Sequence, residues 1–251
     1  MSERGDPGRV WFVGHATVLI ELDGKRILTD PVLVPRIGPL VRVAAAPAEE
    51  LFERIDLVLV SHAHHDHLDR RSLRMINRDA RAICAAPAAR AIASAGLSPE
   101  PLEPGEALRV GDLEVVATEA HHDGRRWPVL GGSGSVGFVV RGSRSIYFAG
   151  DTDLFDDMRD IEGIDVALLP VAGWGPRLPA GHMGPEAAAD AAALIGPEVA
   201  VAIHWGTMRR VGMRLRGPLD APARRFLAEL ERRAPAVRGA HLDPGEALEL
   251  E

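Results

Sequence analysis

Residues 62–67 read His62-Ala63-His64-His65-Asp66-His67. His62, His64, Asp66 and His67 bring imidazole and carboxylate donors, the ligand types that suit zinc and chemically similar cations. The run follows the largely apolar residues 55–60 and Ser61, which places it at the end of a strand. Alternation of side-chain direction along so short a loop aims His62 and His64 at one ion and Asp66 and His67 at another. Several adjacent imidazoles without a metal or partners would repel one another once protonated, which weighs against a merely solvated turn. His65 falls between the donors and is expected to point away from them.

Two closed coordination spheres need more donors than one loop supplies. Three further strand ends offer them: His121-His122-Asp123 after residues 113–120, Asp151 in Gly150-Asp151-Thr152, and His204 in Ile203-His204-Trp205-Gly206-Thr207. Singly, each is more often a satisfied histidine or a strand-end cap than a ligand. Their combination with the first run is what points to a two-metal centre.

These donors need a rigid frame of strands. Residues 10–22 are rich in β-branched and aromatic types, Asp23-Gly24 supplies a tight turn, and residues 25–29 resume the extended pattern, predicting an opening hairpin. Further hairpins are predicted around Gly111-Asp112 and Gly142-Ser143. Apart from Asp56 and Asp165, residues 55–60, 165–169 and 199–203 are apolar runs, continuous rather than alternating, as expected of strands buried on both faces. Helices are predicted over 68–77, 87–95, 185–195 and 218–233, three of them opening with proline. Residues 31–47, apolar but broken by four prolines and a glycine, read as an ordered covering loop rather than an element. Hairpins, buried strands and interleaved helices together predict two sheets with helices outside them, a four-layer αββα sandwich of α/β (α+β) class.

At 251 residues the chain is near the upper limit of one core, so residues 1–251 are expected to form a single domain. Hydrophobic residues make up 46% and charged residues 26%, a globular balance that excludes fibrous or extensively disordered classes. The net charge of -7, with no long basic run, disfavours a nucleic-acid partner. The single cysteine, Cys84, cannot form an internal disulfide and reads as a small buried hydrophobe. Residues 1–9 lack a secretory pattern and no apolar run reaches transmembrane length, so a cytoplasmic protein is expected.

The order His-x-His-x-Asp-His, a distant His, Gly-Asp-Thr and a final His resembles the metallo-β-lactamase superfamily across nearly the whole chain. Gly14-His15-Ala16-Thr17-Val18-Leu19-Ile20, Leu28-Thr29-Asp30-Pro31 and residues 203–207 resemble the branch containing N-acyl-phosphatidylethanolamine phospholipase D and ascorbate-6-phosphate lactonase. That resemblance implies His62, His64 and His122 on one metal, Asp66, His67 and His204 on the second, and Asp151 bridging. His122 is preferred to His121 because the family places its ligand before a short turn, here Asp123-Gly124-Arg125-Arg126. It also implies a catalytic part for Asp66 and, in substrate binding or proton transfer, for His182 of Gly181-His182-Met183. His15 and Asp30 are expected to order the metal loop, because ligand imidazoles usually donate their other N–H to a fixed acceptor.

The implied chemistry is hydrolysis by a hydroxide bound between two divalent ions, zinc first, with manganese, iron or nickel chemically reasonable. The expected target is an ester-like bond, a phosphodiester or a lactone, in a small molecule or lipid. Trp11, Trp127, Trp174 and residues 31–47 are candidates for a greasy pocket wall. The rival from another class is a metal-binding structural or regulatory protein of the same fold with little turnover.

Overall fold

The computed structural model describes residues 8–122, 134–173, 178–213 and 217–250. The chain opens with β1 (Arg9–Gly14), β2 (Thr17–Leu22) and β3 (Lys25–Thr29), followed by the short β4 (Arg36–Ile37) and β5 (Leu40–Arg42). Next come β6 (Leu57–Val60), α1 (Arg70–Leu73), β7 (Arg81–Cys84), α2 (Ala89–Ala95) and β8 (Ser98–Pro101). The second half runs β9 (Ala107–Val110), β10 (Leu113–Glu119), β11 (Val136–Arg141), β12 (Ser145–Phe148) and β13 (Val166–Pro170). It finishes with α3 (Pro185–Ile195), β14 (Val199–Ile203), β15 (Met208–Arg210), α4 (Ala221–Arg233), β16 (Arg238–Ala240) and β17 (Ala247–Glu249).

Two seven-stranded sheets result, ordered β17-β1-β2-β3-β6-β7-β8 and β16-β14-β13-β12-β11-β10-β9. Each changes from antiparallel to parallel pairing at one strand, β3 in the first sheet and β12 in the second. The run at residues 57–60 shows why it carries no polar alternation. Leu57 and Leu59 join the core shared with the second sheet, while Val58 and Val60 join a separate core under α1 and α2. Helices α3 and α4 pack on each other and on β13 and β14, covering the far side of the second sheet. The layers are therefore α, β, β, α, the predicted sandwich.

Four details depart from the sequence reading. Residues 10–22 are two strands, because Gly14 (φ 130°) and His15 (φ 58°) turn the chain left-handed and make a three-strand meander of the expected hairpin. Residues 31–47 do contain elements: β4 and β5 pair with β15 in a small third sheet over a core of Val32, Ile37, Leu40 and Met208. The helix expected over 68–77 shrinks to α1. Asp69 caps it from outside, accepting from the backbone N–H groups of Arg71 and Ser72, and the Asn77 side chain is spent on both backbone groups of Ile55. The helices expected from 87 and 218 begin later, at Ala89 after a 3-10 turn and at Ala221 after a turn at Pro218.

Candidate metal centre

The predicted donors gather at one edge of the sandwich, beyond the carboxyl ends of parallel strands, where open α/β sheets place their ligand sites. His62 lies two residues past the end of β6, His204 follows β14 directly, and Asp151 lies three residues past the end of β12. His122 lies beyond β10, and His15 stands at the corner between β1 and β2. Three of the participating residues, His15, Asp30 and His204, hold positive φ without being glycine. Such backbone persists only where surrounding bonds over-determine it.

The hydrogen bonds on the outward nitrogens decide which ring atoms face inward. His67 donates from Nδ1 to Asp30 Oδ2 at 2.6 Å, His204 from Nδ1 to the Ala172 carbonyl at 2.6 Å, and His122 from Nδ1 to the Gly181 carbonyl at 2.9 Å. Ser61 gives its hydroxyl proton to Asp30 Oδ2 at 2.6 Å and so accepts from His62 Nδ1 at 2.9 Å. Each neutral ring then presents an Nε2 lone pair to the interior.

Those lone pairs converge. His67 Nε2 and His204 Nε2 lie 3.1 Å apart, and His122 Nε2 lies 3.2 Å from His64 Nδ1. Asp151 spans the groups: Oδ2 is 3.0 Å from His67 Nε2 and 3.9 Å from His62 Nε2, and Oδ1 is 3.1 Å from His204 Nε2. Lone pairs facing at such distances repel unless a cation or a proton lies between them. Donors held about 2.0–2.1 Å from one ion sit between about 2.9 Å (octahedral) and about 3.4 Å (tetrahedral) from one another, which all of these edges match except the 3.9 Å one between Asp151 and His62. Among the described residues the buried Nε2 of His62 and Oδ1 of Asp151 have no hydrogen-bond partner, a costly arrangement unless they are ligands. The residues therefore fit a bound metal.

Two groups of donor atoms emerge by proximity. One is His62, His64 and His122; the other is Asp66, His67 and His204, joined by His15. A third grouping, His122, Asp151 and His182, places His182 Nε2 3.3 Å from Asp151 Oδ2 on the more open side. Asp30 also falls near His62 and His67, but its two oxygens already accept from Ser61 and His67, so it holds rings rather than an ion. His65 is exposed. His121 turns away too, stacking on Phe155 with ring centroids 4.3 Å apart.

Electrostatics favour neutral rings. Burial lowers His62 well below the usual imidazole value, His204 to about 3 and His122 to about 4. His67 is the exception, because Asp151 and Asp30 outweigh its burial and hold it well above the usual value. Burial would raise Asp151 as well, but the facing His204 and His67 hold it well below the carboxylate range.

Sequence reasoning did not single out Ser61, nor the carbonyls of Ala172 and Gly181, nor Thr207. Ser61 could have been noticed from its place immediately before His62. The carbonyls leave no trace in residue type. Trp127 and Trp174, and the turn at Asp123-Gly124-Arg125-Arg126, lie outside the described residues, whereas Trp11 donates to Glu21 at 3.2 Å on the strand β1. Among the described residues no helix is long and apolar enough to cross a membrane.

Comparison with known proteins agrees with this architecture. The sequence profile of the Beta-lactamase superfamily domain matches residues 25–205. A protein of Methanopyrus kandleri named as a UPF0173 metal-dependent hydrolase is 34% identical over 96% of this chain and 99% of its own length. Among solved structures, Igni18, a metallo hydrolase from the archaeon Ignicoccus hospitalis, superposes with a TM-score of 0.73 at 24% identity, covering 97% of this chain and 98% of that one. An isothiocyanate hydrolase from Delia radicum gut bacteria gives a TM-score of 0.71 at 19% identity, with 97% and 100% covered. Family profile, aligned relative and shared fold lead to one statement: the chain belongs to the metallo-β-lactamase superfamily.

Proposed function

We propose that this protein is a hydrolase that uses two divalent cations, zinc foremost, to cleave an ester-like bond, a phosphodiester or a lactone, in a small molecule or lipid. The observation that carries the reading is the convergence of His62, His64 and His122 on one side of Asp151 and of Asp66, His67 and His204 on the other. The names of relatives as metal-dependent hydrolases support it. So does the resemblance of residues 14–20, 28–31 and 203–207 to the phospholipase and lactonase branch.

Cations bound there would polarise the substrate oxygen and lower the pKa of water towards neutrality. The chain does the rest. Asp30, Ala172 and Gly181 hold the Nδ1 protons of His67, His204 and His122, so that Nε2 of each ring is the atom turned to a cation, with His67 giving up its second proton when the cation binds. His182 Nε2, against Asp151 and partly open to solvent, can hold a proton and pass it to a leaving oxygen. Rigid strand ends keep these groups aligned, and alignment at close range is a large part of any such rate enhancement.

The test uses bis-p-nitrophenyl phosphate and a panel of lactones with the purified, metal-loaded protein. Chelation should abolish turnover and added metal should restore it. Loss of an outer hydrogen-bond partner alone costs about 10–100-fold, so Asp66→Ala and His204→Ala should each lose more than about 100-fold while keeping the native circular dichroism. Unchanged turnover in both pure variants would sink the assignment. Tight metal loading with no turnover on any ester-like substrate would instead place the chain with metal-binding structural or regulatory proteins.

A further inference from the structure

We infer that His15 is a positioning residue for the second cation site: it holds Asp66 from behind and backs the His204 ring, so the β1–β2 corner sets the affinity of that site. The inference rests on the two-cation reading above. Its basis is the way three separate loops meet at this one side chain.

The backbone of His15 is pinned at both ends. Its N–H donates to Thr207 Oγ1 at 2.8 Å, and its carbonyl accepts from the backbone N–H of His204 at 2.7 Å. Thr207 Oγ1 in turn donates to the Trp205 carbonyl at 3.0 Å. Both His15 (φ 58°) and His204 (φ 63°) are left-handed, so the pairing of the two corners fixes two conformations that a side-chain-bearing residue seldom adopts. The His15 ring is 3% exposed, and its centroid lies 3.8 Å from that of His204.

The ring then reaches the third loop. His15 Nε2 lies 3.1 Å from Asp66 Oδ2, and that same oxygen lies 3.9 Å from His67 Nε2. An ionised carboxylate can only accept, so His15 Nε2 carries the proton and donates it. A ring nitrogen that donates a proton has no lone pair there for a cation. His15 therefore acts through Asp66 and His204, whereas His67 and His204 spend their Nδ1 protons on Asp30 and the Ala172 carbonyl and so keep Nε2 for the cation. The His15 ring makes its contacts with Asp66, His67 and His204, all donors of the second site, so the effect is expected at that site.

The experiment compares wild type with His15→Ala and His15→Gln, whose amide nitrogen can stand near the place of Nε2. Each protein is loaded with zinc or cobalt(II), metal per chain is measured by mass spectrometry, and both affinities are taken by competition with a chromophoric chelator. Wild type should hold two equivalents. His15→Ala should keep the first affinity and lose about 10–100-fold in the second, and His15→Gln should recover most of that loss. When His15→Ala is resaturated at high cobalt, its visible bands should keep their wild-type positions. Unchanged second affinity in folded His15→Ala, equal weakening of both sites, or a band shift at saturation that marks a lost ligand would each overturn the inference while leaving the two-cation reading standing. One equivalent in wild type would overturn the two-cation reading, and this inference with it.

Discussion

Each imidazole at the centre has two nitrogens with separate tasks, and the outer nitrogen is as informative as the inner one. Asp30 shows this most fully. It is completely buried, and it accepts the Ser61 backbone N–H at Oδ1 (2.7 Å) and both the Ser61 hydroxyl and His67 Nδ1 at Oδ2 (2.6 Å each). An asparagine there must turn its amide group towards one oxygen position or the other, and either choice sets donor against donor. Asp30→Asn should therefore cost about 1–3 kcal/mol in unfolding free energy and weaken metal binding about 10–100-fold. Denaturant titration and chelator competition read the two effects, and an Asp30→Asn protein with wild-type metal affinity would show that Asp30 does not order the ring. The donors themselves were legible in the sequence because metal ligation demands particular side chains at strand ends. The carbonyls of Ala172 and Gly181 were not, since a backbone oxygen belongs to every residue and only the fold brings it to His204 or His122.

Among the elements, those whose periodicity is set by burial alone could be read directly. Strand β6 is apolar on both faces because a core lies on each side of it, and α3 spans the predicted residues 185–195 and stops at Gly196, which turns left-handed after its last turn. Elements that depend on distant partners could not be read. Strands β4 and β5 exist because β15, far along the chain, pairs with them, and the edge strand β17 exists because it pairs with β1. The meander corner at Gly14 belongs to this second kind. A Cβ on Gly14 would lie 2.8 Å from Thr207 Cγ2 and 3.0 Å from Arg42 Nη1, at a φ of 130°. At Gly24, in the next turn, a Cβ would meet nothing within 4 Å, although φ is 73°. Gly24→Ala should cost only the left-handed penalty, about 1–2 kcal/mol, and leave metal binding intact. Gly14→Ala should cost more, because the steric clash adds to the strain, and should weaken the second cation site by moving His15. Paired thermal melts and metal titrations check this, and equal effects at both glycines would refute the special role of that corner.

At the scale of the whole molecule, the centre couples metal, protons and folding. In the metal-free protein His62, His122 and His204 are buried neutral, with His122 lowered to about 4 and His204 to about 3, whereas unfolded histidines titrate near the ordinary value of 6.5. Between pH 6.5 and about 4 the unfolded chain therefore binds protons that the folded chain refuses, and stability must fall as pH falls through that window. His67 has the opposite sign. Asp151 and Asp30 hold it well above 6.5, so its contribution is complete below pH 6.5 and is lost only as pH rises through its folded value. The two slopes leave the chelated protein most stable near neutral pH. Bound cations change this balance, because they take the positions that protons would otherwise contest and stabilise the fold by mass action. Thermal unfolding from pH 4.5 to 8, with chelator and with added zinc, should show the zinc-loaded protein melting higher at neutral pH. The two curves should converge in acid as protons displace the metal, while the chelated protein declines steadily below pH 6.5. A chelated protein whose melting temperature stays flat from pH 6.5 to 4.5 would mean that these histidines are not held neutral by burial, and the preformed lone-pair geometry would have to be given up.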